Sequence, residues 1–129
     1  MKYGFTKKNP GHQTVIPYIR IENPIGFIKW TSDVFGAKEN EVVKSDDGTV
    51  RHAQILIDDA IIMMSTARAE WPVDNATFYI YVKSVEESYA KAITHGADSV
   101  FEPYEEDYGA KSAGLVDPFG NHWWLAELL

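Results

Sequence analysis

The chain contains no cysteine and no long apolar run. Without cysteine there is no disulfide, no zinc–thiolate site and no thiol nucleophile. The longest apolar runs, 60–64 and 78–82, hold five residues each, and a membrane helix requires about 20. The first 13 residues contain no apolar segment typical of a secretion signal. We therefore expect a cytoplasmic protein that makes no contact with a membrane.

Basic residues are scarce as well. Lysine and arginine number 12 against 19 acidic residues, which gives a net charge of −7. This charge opposes the phosphate backbone, and the basic residues form no stripe with interleaved aromatic residues, so nucleic acid is not an expected partner. The chain has 129 residues, of which 45% are hydrophobic, and this is enough to form one core. The composition predicts one compact acidic domain.

Two amphipathic helices are predicted, and both carry end signals. Asn23 with Pro24 begins the first helix and Gly36 ends it, while a capping box at 84–87 begins the second helix and Gly96 ends it. A β-rich run precedes each helix, and glycine-containing turns follow it. The second half of the chain thus repeats the first at an offset of about 60 residues. This repeat predicts two β-α-β-β-β units.

The predicted fold class is α+β, built from two paired βαβββ modules. A leader is expected at 1–13, the first module at 14–66, a linker at 67–76 and the second module at 77–129. A ferredoxin-like β-α-β-β-α-β sandwich is the alternative, but it leaves two strands between the helices where the sequence predicts four. The predicted strands are 14–21, 40–45, 50–57 and 60–65 in the first module and 77–82, 99–103, 112–116 and 121–127 in the second.

Strand alternation predicts which side chains face away from the helices. That face collects aromatic and polar residues rather than the Lys, Glu, Ser and Thr of an ordinary solvated surface. If the two sheets curl towards each other, such residues line a concave site for a small molecule. The alternatives are half-exposed strand residues or a dimer interface. The residues predicted on this face are Tyr18, Arg20, His52, Gln54, Tyr79, Tyr81, His122 and Trp124.

Four motifs stand in a characteristic order: Val-Ile-Pro-Tyr-Ile-Arg-Ile at 15–21, Arg-His-Ala-Gln-Ile-Leu-Ile-Asp-Asp at 51–59, Tyr-Gly-Ala-Lys at 108–111 and Asp-Pro-Phe-Gly-Asn-His-Trp at 117–123. Together they resemble the vicinal oxygen chelate superfamily, in particular its glyoxalase/bleomycin resistance group and the phosphonate-operon-type branch of that group. The resemblance covers residues 14–129. It implies that the paired modules form a cupped, incomplete barrel and that the protein is a homodimer.

The resemblance also bears on metal binding. In the metal-dependent members of the superfamily, His, Glu or Gln side chains on the cupped sheets hold one divalent ion, and their positions fall here on Ile16, about Ile62, Thr77 and Trp124. Alkyl and indole groups offer a cation no lone pair, and one threonine hydroxyl is a weak ligand. We therefore expect no metal and no other cofactor.

Two further positions differ from the related branch. Gln54 stands where the branch often has a glutamate, and Tyr108–Lys111 replaces a Tyr-Gly-Asp-Arg motif, so that Lys111 takes the place of an arginine. A non-standard metal site remains as an alternative, formed by His52, Gln54, His122 and Glu127.

The sequence therefore predicts a metal-free protein that binds a small molecule, with antibiotic or toxin sequestration as the use that the resemblance suggests. Stacking would come from Tyr18, Tyr79, Tyr81 and Trp124, and orientation of polar groups from Arg20, His52, Gln54, Lys111 and His122. One alternative is a lyase, isomerase or dioxygenase of the same superfamily, with a displaced metal or with His52 and His122 as acid and base. The other is a homodimeric interaction protein without catalysis.

Overall fold

The computed structural model describes residues 8–129. The chain forms two modules with the same order of elements. Each module has one helix and four strands, which confirms the α+β class. The first module contains β1 (Tyr18–Ile21), α1 (Pro24–Phe35), β2 (Lys38–Lys44), β3 (Val50–Ile57) and β4 (Ala60–Thr66). The second contains β5 (Thr77–Tyr81), α2 (Val85–Thr94), β6 (Asp98–Glu105), β7 (Ala110–Val116) and β8 (His122–Leu128).

Both helices begin as the capping signals predict, and α1 also ends as predicted, whereas α2 ends at Thr94 with His95 as its C-cap, one residue before the predicted Gly96. The Asn23 side chain accepts a hydrogen bond of 2.9 Å from the Gly26 backbone nitrogen, and Pro24 occupies the first helical turn. Gly36 follows the helix with a φ of 71°, in the left-handed region that glycine adopts without strain. At α2 the Ser84 hydroxyl accepts from the Glu87 backbone nitrogen at 3.2 Å.

The two sheets repeat one topology. The strand order is β1-β4-β3-β2 in the first sheet and β5-β8-β7-β6 in the second. In each sheet the strand before the helix pairs in parallel with the last strand of the module, and the other pairs are antiparallel. Four strands therefore separate the helices, which excludes the ferredoxin-like alternative. The described residues form two separate sheets and no closed barrel, in agreement with the predicted incomplete barrel.

The first strand is shorter than predicted. It begins at Tyr18 rather than Thr14, because Pro17 has no N–H to donate and contributes only its carbonyl, which accepts from the Met63 nitrogen at 2.9 Å. Residues 1–7 of the predicted leader lie outside the described residues. Its last residue, Gln13, exchanges side-chain hydrogen bonds of 2.7 and 3.1 Å with the backbone of Ile61.

One aromatic cluster joins the two modules. Trp123 of β8 is 1% exposed and packs against Phe27 and Phe35 of α1, with ring centroids 6.4 and 4.8 Å away. It also contacts Phe78 of β5 at 4.4 Å. The core therefore lies on the helix side of both sheets and is shared between the modules, which leaves the opposite face of each sheet uncovered.

The motif at 117–121 forms a buried polar turn between β7 and β8. Asp117 and Asn121 are 4% and 0% exposed. The Asp117 carboxylate accepts hydrogen bonds from the backbone nitrogens of Phe119 and Asn121 at 2.8 and 3.0 Å, and from the Asn121 amide at 3.1 Å. The side-chain oxygen of Asn121, Oδ1, in turn accepts a hydrogen bond of 3.0 Å from the Ala76 backbone nitrogen. This bond connects the turn to the residue before β5.

Within the described part of the chain, no helix is long and apolar enough to cross a membrane.

Candidate functional site

The predicted site residues lie on the uncovered faces of two different sheets. On the first sheet, residues Tyr18, Met63, Gln54 and Glu41 stand side by side across β1, β4, β3 and β2. Arg20 lies on the same face of β1 and His52 on that of β3. On the second sheet, the equivalent row is Tyr79, Trp124, Gly114 and Phe101, with Tyr81 and His122 on the same face.

Lys111 does not lie with them, and its assignment to the shared face needs correction. It pairs in register with Glu127 on β8, and its ammonium contacts the Glu86 carboxylate of α2. Lys111 therefore points to the helix side of the sheet. The hydrogen bond to Glu86 raises the pKa of Lys111 above its ordinary value of 10.5. Its place among the site residues came from the resemblance of residues 108–111 to the Tyr-Gly-Asp-Arg motif of the related branch.

A hydrogen-bonded network surrounds Gln54, which is 5% exposed. Its carbonyl oxygen accepts from the Asn40 amide and its nitrogen donates to the Glu41 carboxylate, both at 3.1 Å. The same nitrogen lies 2.9 Å from His52 Nε2. His52 Nδ1 then lies 3.4 Å from the Tyr18 hydroxyl. The network orients both rings at the edge of the uncovered face.

The first sheet carries a cavity of about 600 Å³, called here the first-sheet cavity. Two aromatic rings and three arginines line it together with small hydroxyl side chains, and the lining contains no carboxylate. Arg51 forms no ion pair with any described residue, and Arg68 has only a contact of 3.9 Å with Glu70. The lining residues are Tyr18, Arg20, Ser45, Thr49, Val50, Arg51, Ser65, Thr66, Ala67, Arg68 and Trp71.

One wall of this cavity comes from the linker. Arg68 and Trp71 exchange two backbone hydrogen bonds of 2.9 and 3.0 Å and form a tight hairpin. Arg20 holds the hairpin with hydrogen bonds to the Pro72 carbonyl at 3.0 Å and the Asp74 carboxylate at 3.1 Å. Its guanidinium also lies 5.6 Å from the centre of the Trp71 ring, a cation–π contact.

Sequence reasoning missed Arg51, Arg68 and Trp71 as site residues. The Trp71-Pro72 pair was visible, but a linker position gave no reason to place it over a sheet. Arg51 stands next to the predicted His52, and strand alternation assigned it to the other face.

The second sheet carries a smaller pocket of about 240 Å³, called here the second-sheet pocket. Trp124 stacks on Phe101 with ring centroids 5.4 Å apart and an angle of 19° between the rings. Tyr79, Tyr108 and Glu106 complete the polar rim. Burial and the nearby Tyr108 raise the pKa of Tyr79 above its ordinary value.

The remaining predicted residues of this face lie beside the pocket. Tyr81 meets Tyr79 edge-on at 5.6 Å, and His122 lies 6.2 Å from Trp124 between ring centroids. His52 contacts Tyr18 and Gln54 on the first sheet, and His122 neighbours Trp124 on the second; among the described residues, no hydrogen bond joins the two histidines.

Two of the positions expected to hold a metal ion do not lie on the uncovered faces. Ile62 is 5% exposed and points into the core, opposite Ile55. Its neighbour Met63 lies on the uncovered face of β4, at the position that Trp124 occupies on β8. The Glu127 carboxylate accepts from the Val85 nitrogen at 2.9 Å on the helix side. Among residues 8–129, no three His, Asp or Glu side chains lie close enough together to hold a metal ion.

No family model matches the sequence. An uncharacterized protein of Mycobacterium bovis is 23% identical over 122 residues, spanning 86% of this chain and 80% of that protein. An uncharacterized protein of Mycobacterium tuberculosis is also 23% identical over 122 residues, and the match spans 86% of this chain and 72% of that protein.

Solved structures resemble the fold over most of the chain. TioX from Micromonospora superposes with a TM-score of 0.70 at 20% identity, over 89% of this chain and 99% of TioX. The PhnB protein of Bacillus cereus gives 0.73 at 16% identity over the same shares. A glyoxalase/bleomycin resistance protein/dioxygenase family enzyme of Burkholderia phytofirmans gives 0.65 at 20% identity, over 87% and 97%. These likenesses show that the chain has a glyoxalase-like fold, as the resemblance implied.

Proposed function

We propose that this chain is a small-molecule-binding protein of the glyoxalase/bleomycin resistance type, and that its ligand lies in the first-sheet cavity. The observation that carries this proposal is the lining: the rings of Tyr18 and Trp71, three guanidinium groups and several hydroxyls around about 600 Å³. Cavities of about 300 to 1,000 Å³ that combine aromatic walls with a few polar groups are typical of small-molecule sites.

The charge of the lining favours an anionic, planar organic ligand. A guanidinium presents a fork of N–H donors that matches a carboxylate or phosphate, and it also stacks on flat rings. Arg51 is the arginine with no ion pair to a described residue, so we assign it the anionic group. The net charge of −7 acts at longer range and is screened over about 8 to 10 Å in salt.

Binding without a metal is part of the proposal. Its support is chemical: the ligand positions of the metal-dependent relatives carry an alkyl, a thioether, a hydroxyl and an indole group here, and this set lacks the imidazole and carboxylate ligands that hold a divalent ion. Sequestration of an antibiotic or toxic compound is the use that this binding would serve. The expected cytoplasmic location stays a prediction.

We also propose that two copies associate as a homodimer. Tyr18, Tyr79 and Tyr81 are 44%, 58% and 68% exposed on the uncovered faces, and large exposed aromatic groups are typical of interfaces. Sedimentation equilibrium should give the mass of two chains. A monomer at all concentrations would contradict this proposal.

The ligand proposal is tested by calorimetric titration with 1-naphthoate and with its neutral analogue 1-naphthalenemethanol, in the presence of EDTA. We expect saturable binding of the anion, with at least tenfold weaker binding of the neutral compound. Arg51→Gln and Trp71→Ala should each weaken naphthoate binding. Lys29→Gln is the matched control, because Lys29 pairs with Asp33 on the surface of α1. Equal binding of both compounds, or binding that EDTA abolishes, would refute the proposal.

A further inference from the structure

The second-sheet pocket combines aromatic surfaces with a single charge. Among its lining residues are Tyr79, Phe101, Tyr108 and Trp124, and the one ionisable acid is Glu106. The lining contains no lysine, arginine or histidine. This is the opposite chemistry to the first-sheet cavity, which is lined by arginines without a carboxylate. The linings of the two pockets therefore carry opposite charges.

Glycine at position 114 makes the pocket floor possible. A Cβ atom at Gly114 would lie 2.3 Å from Trp124 Cζ3 and 2.5 Å from Phe101 Cε1, well inside van der Waals contact. Because that atom is missing, the two rings meet over β7 and stack with centroids 5.4 Å apart. The pocket beside them is therefore walled by aromatic rings and is not filled by a β7 side chain.

Glu106 lies at the rim of the second-sheet pocket together with Tyr79 and Tyr108. Its carboxylate raises the pKa of Tyr104, and its charge contributes to the raised pKa of Tyr79. Lys111, the nearest lysine along the chain, points to the other side of the sheet and contacts Glu86, so it does not neutralise Glu106.

We propose that the second-sheet pocket binds a small organic cation of the alkylammonium class. The faces of tryptophan, phenylalanine and tyrosine attract such a cation through their ring quadrupoles, and Glu106 supplies the counter-charge. The volume of about 240 Å³ is sufficient for a trimethylammonium group. The site is formed by one chain and is separate from the first-sheet cavity, so its failure would leave the proposed function untouched.

The test compares two probes of the same shape. Choline and its neutral isostere 3,3-dimethylbutan-1-ol are titrated with the full-length protein, and the methyl proton shifts are followed by NMR. We expect the choline methyl signal to move upfield in a saturable manner, because the protons lie over ring faces. The isostere should bind about tenfold more weakly, since it lacks the charge that the rings attract. Equal binding of both probes, or no saturable shift with choline, would overturn the proposal.

Matched variants locate the site. Glu106→Gln should weaken choline binding several-fold, and Tyr108→Leu should do the same. Glu105→Gln is the control, because Glu105 pairs in register with Lys111 and so belongs to the helix side. Arg51→Gln, in the first-sheet cavity, should leave choline binding unchanged. Each variant is first shown to keep the parent melting temperature. If Glu105→Gln weakens choline binding as much as Glu106→Gln does, the proposal is wrong.

Discussion

The indole nitrogen of Trp123 donates a hydrogen bond of 2.8 Å to the Asp117 carboxylate, and both side chains are buried. The same tryptophan packs against α1 of the other module. The turn that most specifically resembles the superfamily is therefore a folding element: it holds the central ring of the shared core. Its atoms contact neither the first-sheet cavity nor the second-sheet pocket.

Replacing Asp117 by alanine should destabilise the fold strongly. The change leaves the buried donors of Phe119, Asn121 and Trp123 without their acceptor, and each buried polar group left unpaired costs about 1 to 3 kcal/mol. We expect the free energy of unfolding, measured by urea denaturation, to fall by about 3 to 5 kcal/mol. Asp107→Ala, in an exposed turn, should change it by less than about 0.5 kcal/mol. Similar losses in both variants would contradict this role for Asp117.

Adding a methyl group at Gly114 should destabilise the protein through a clash with Trp124 and Phe101. Overpacking of this kind costs about 1 to 3 kcal/mol. Because the clash needs the indole, Gly114→Ala should cost much less in a Trp124→Ala background. Chemical denaturation of the two single variants and the double variant measures this coupling. Strictly additive effects would show that the clash with the indole does not limit position 114.

Arg20→Lys should loosen the hairpin that carries Trp71. A lysine ammonium cannot reproduce together the hydrogen bonds of the guanidinium to Pro72 and Asp74. We expect limited proteolysis within 68–75 to become several-fold faster while the global melting temperature changes little. Lys29→Gln serves as the control for loss of a surface charge. Unchanged cleavage would mean that the backbone bridge between Arg20 and Asp74 is sufficient to hold the hairpin.

The Tyr104 hydroxyl should titrate at lower pH once Glu106 is neutral. Glu106 raises the pKa of Tyr104 above its ordinary value of 10.0, which favours the protonated phenol in the folded state. The stability that this contact contributes is present below the ordinary pKa of the unfolded chain. It is lost as the pH rises through the raised pKa of the folded protein. Glu106→Gln should therefore lower the pKa of Tyr104, as followed by NMR of ring-labelled tyrosine. Glu105→Gln should leave it unchanged, and equal shifts in both variants would contradict the contact.

Local signals predicted the elements well. Asn23, Gly36 and Ser84 act within single turns, so the ends of the helices can be read from neighbouring residues. The repeat predicted the strand count and hence the topology. Lys111 was misplaced because its assignment came from the motif at 108–111, and a motif match does not give the register of β7 with β8, which the tertiary fold sets.

The sequence by itself determined the two βαβββ modules, because helix caps and the internal repeat are local signals. Strand alternation likewise determined the aromatic and polar residues that β1, β3, β5 and β8 place on one face. Only the tertiary structure decided that these residues form two sites. Trp123 packs on α1 of the other module, which turns the uncovered faces away from the shared core, and the linker returns along β1 through Asp74 to add Arg68 and Trp71. Contacts between residues so distant in the chain leave no periodic trace in it.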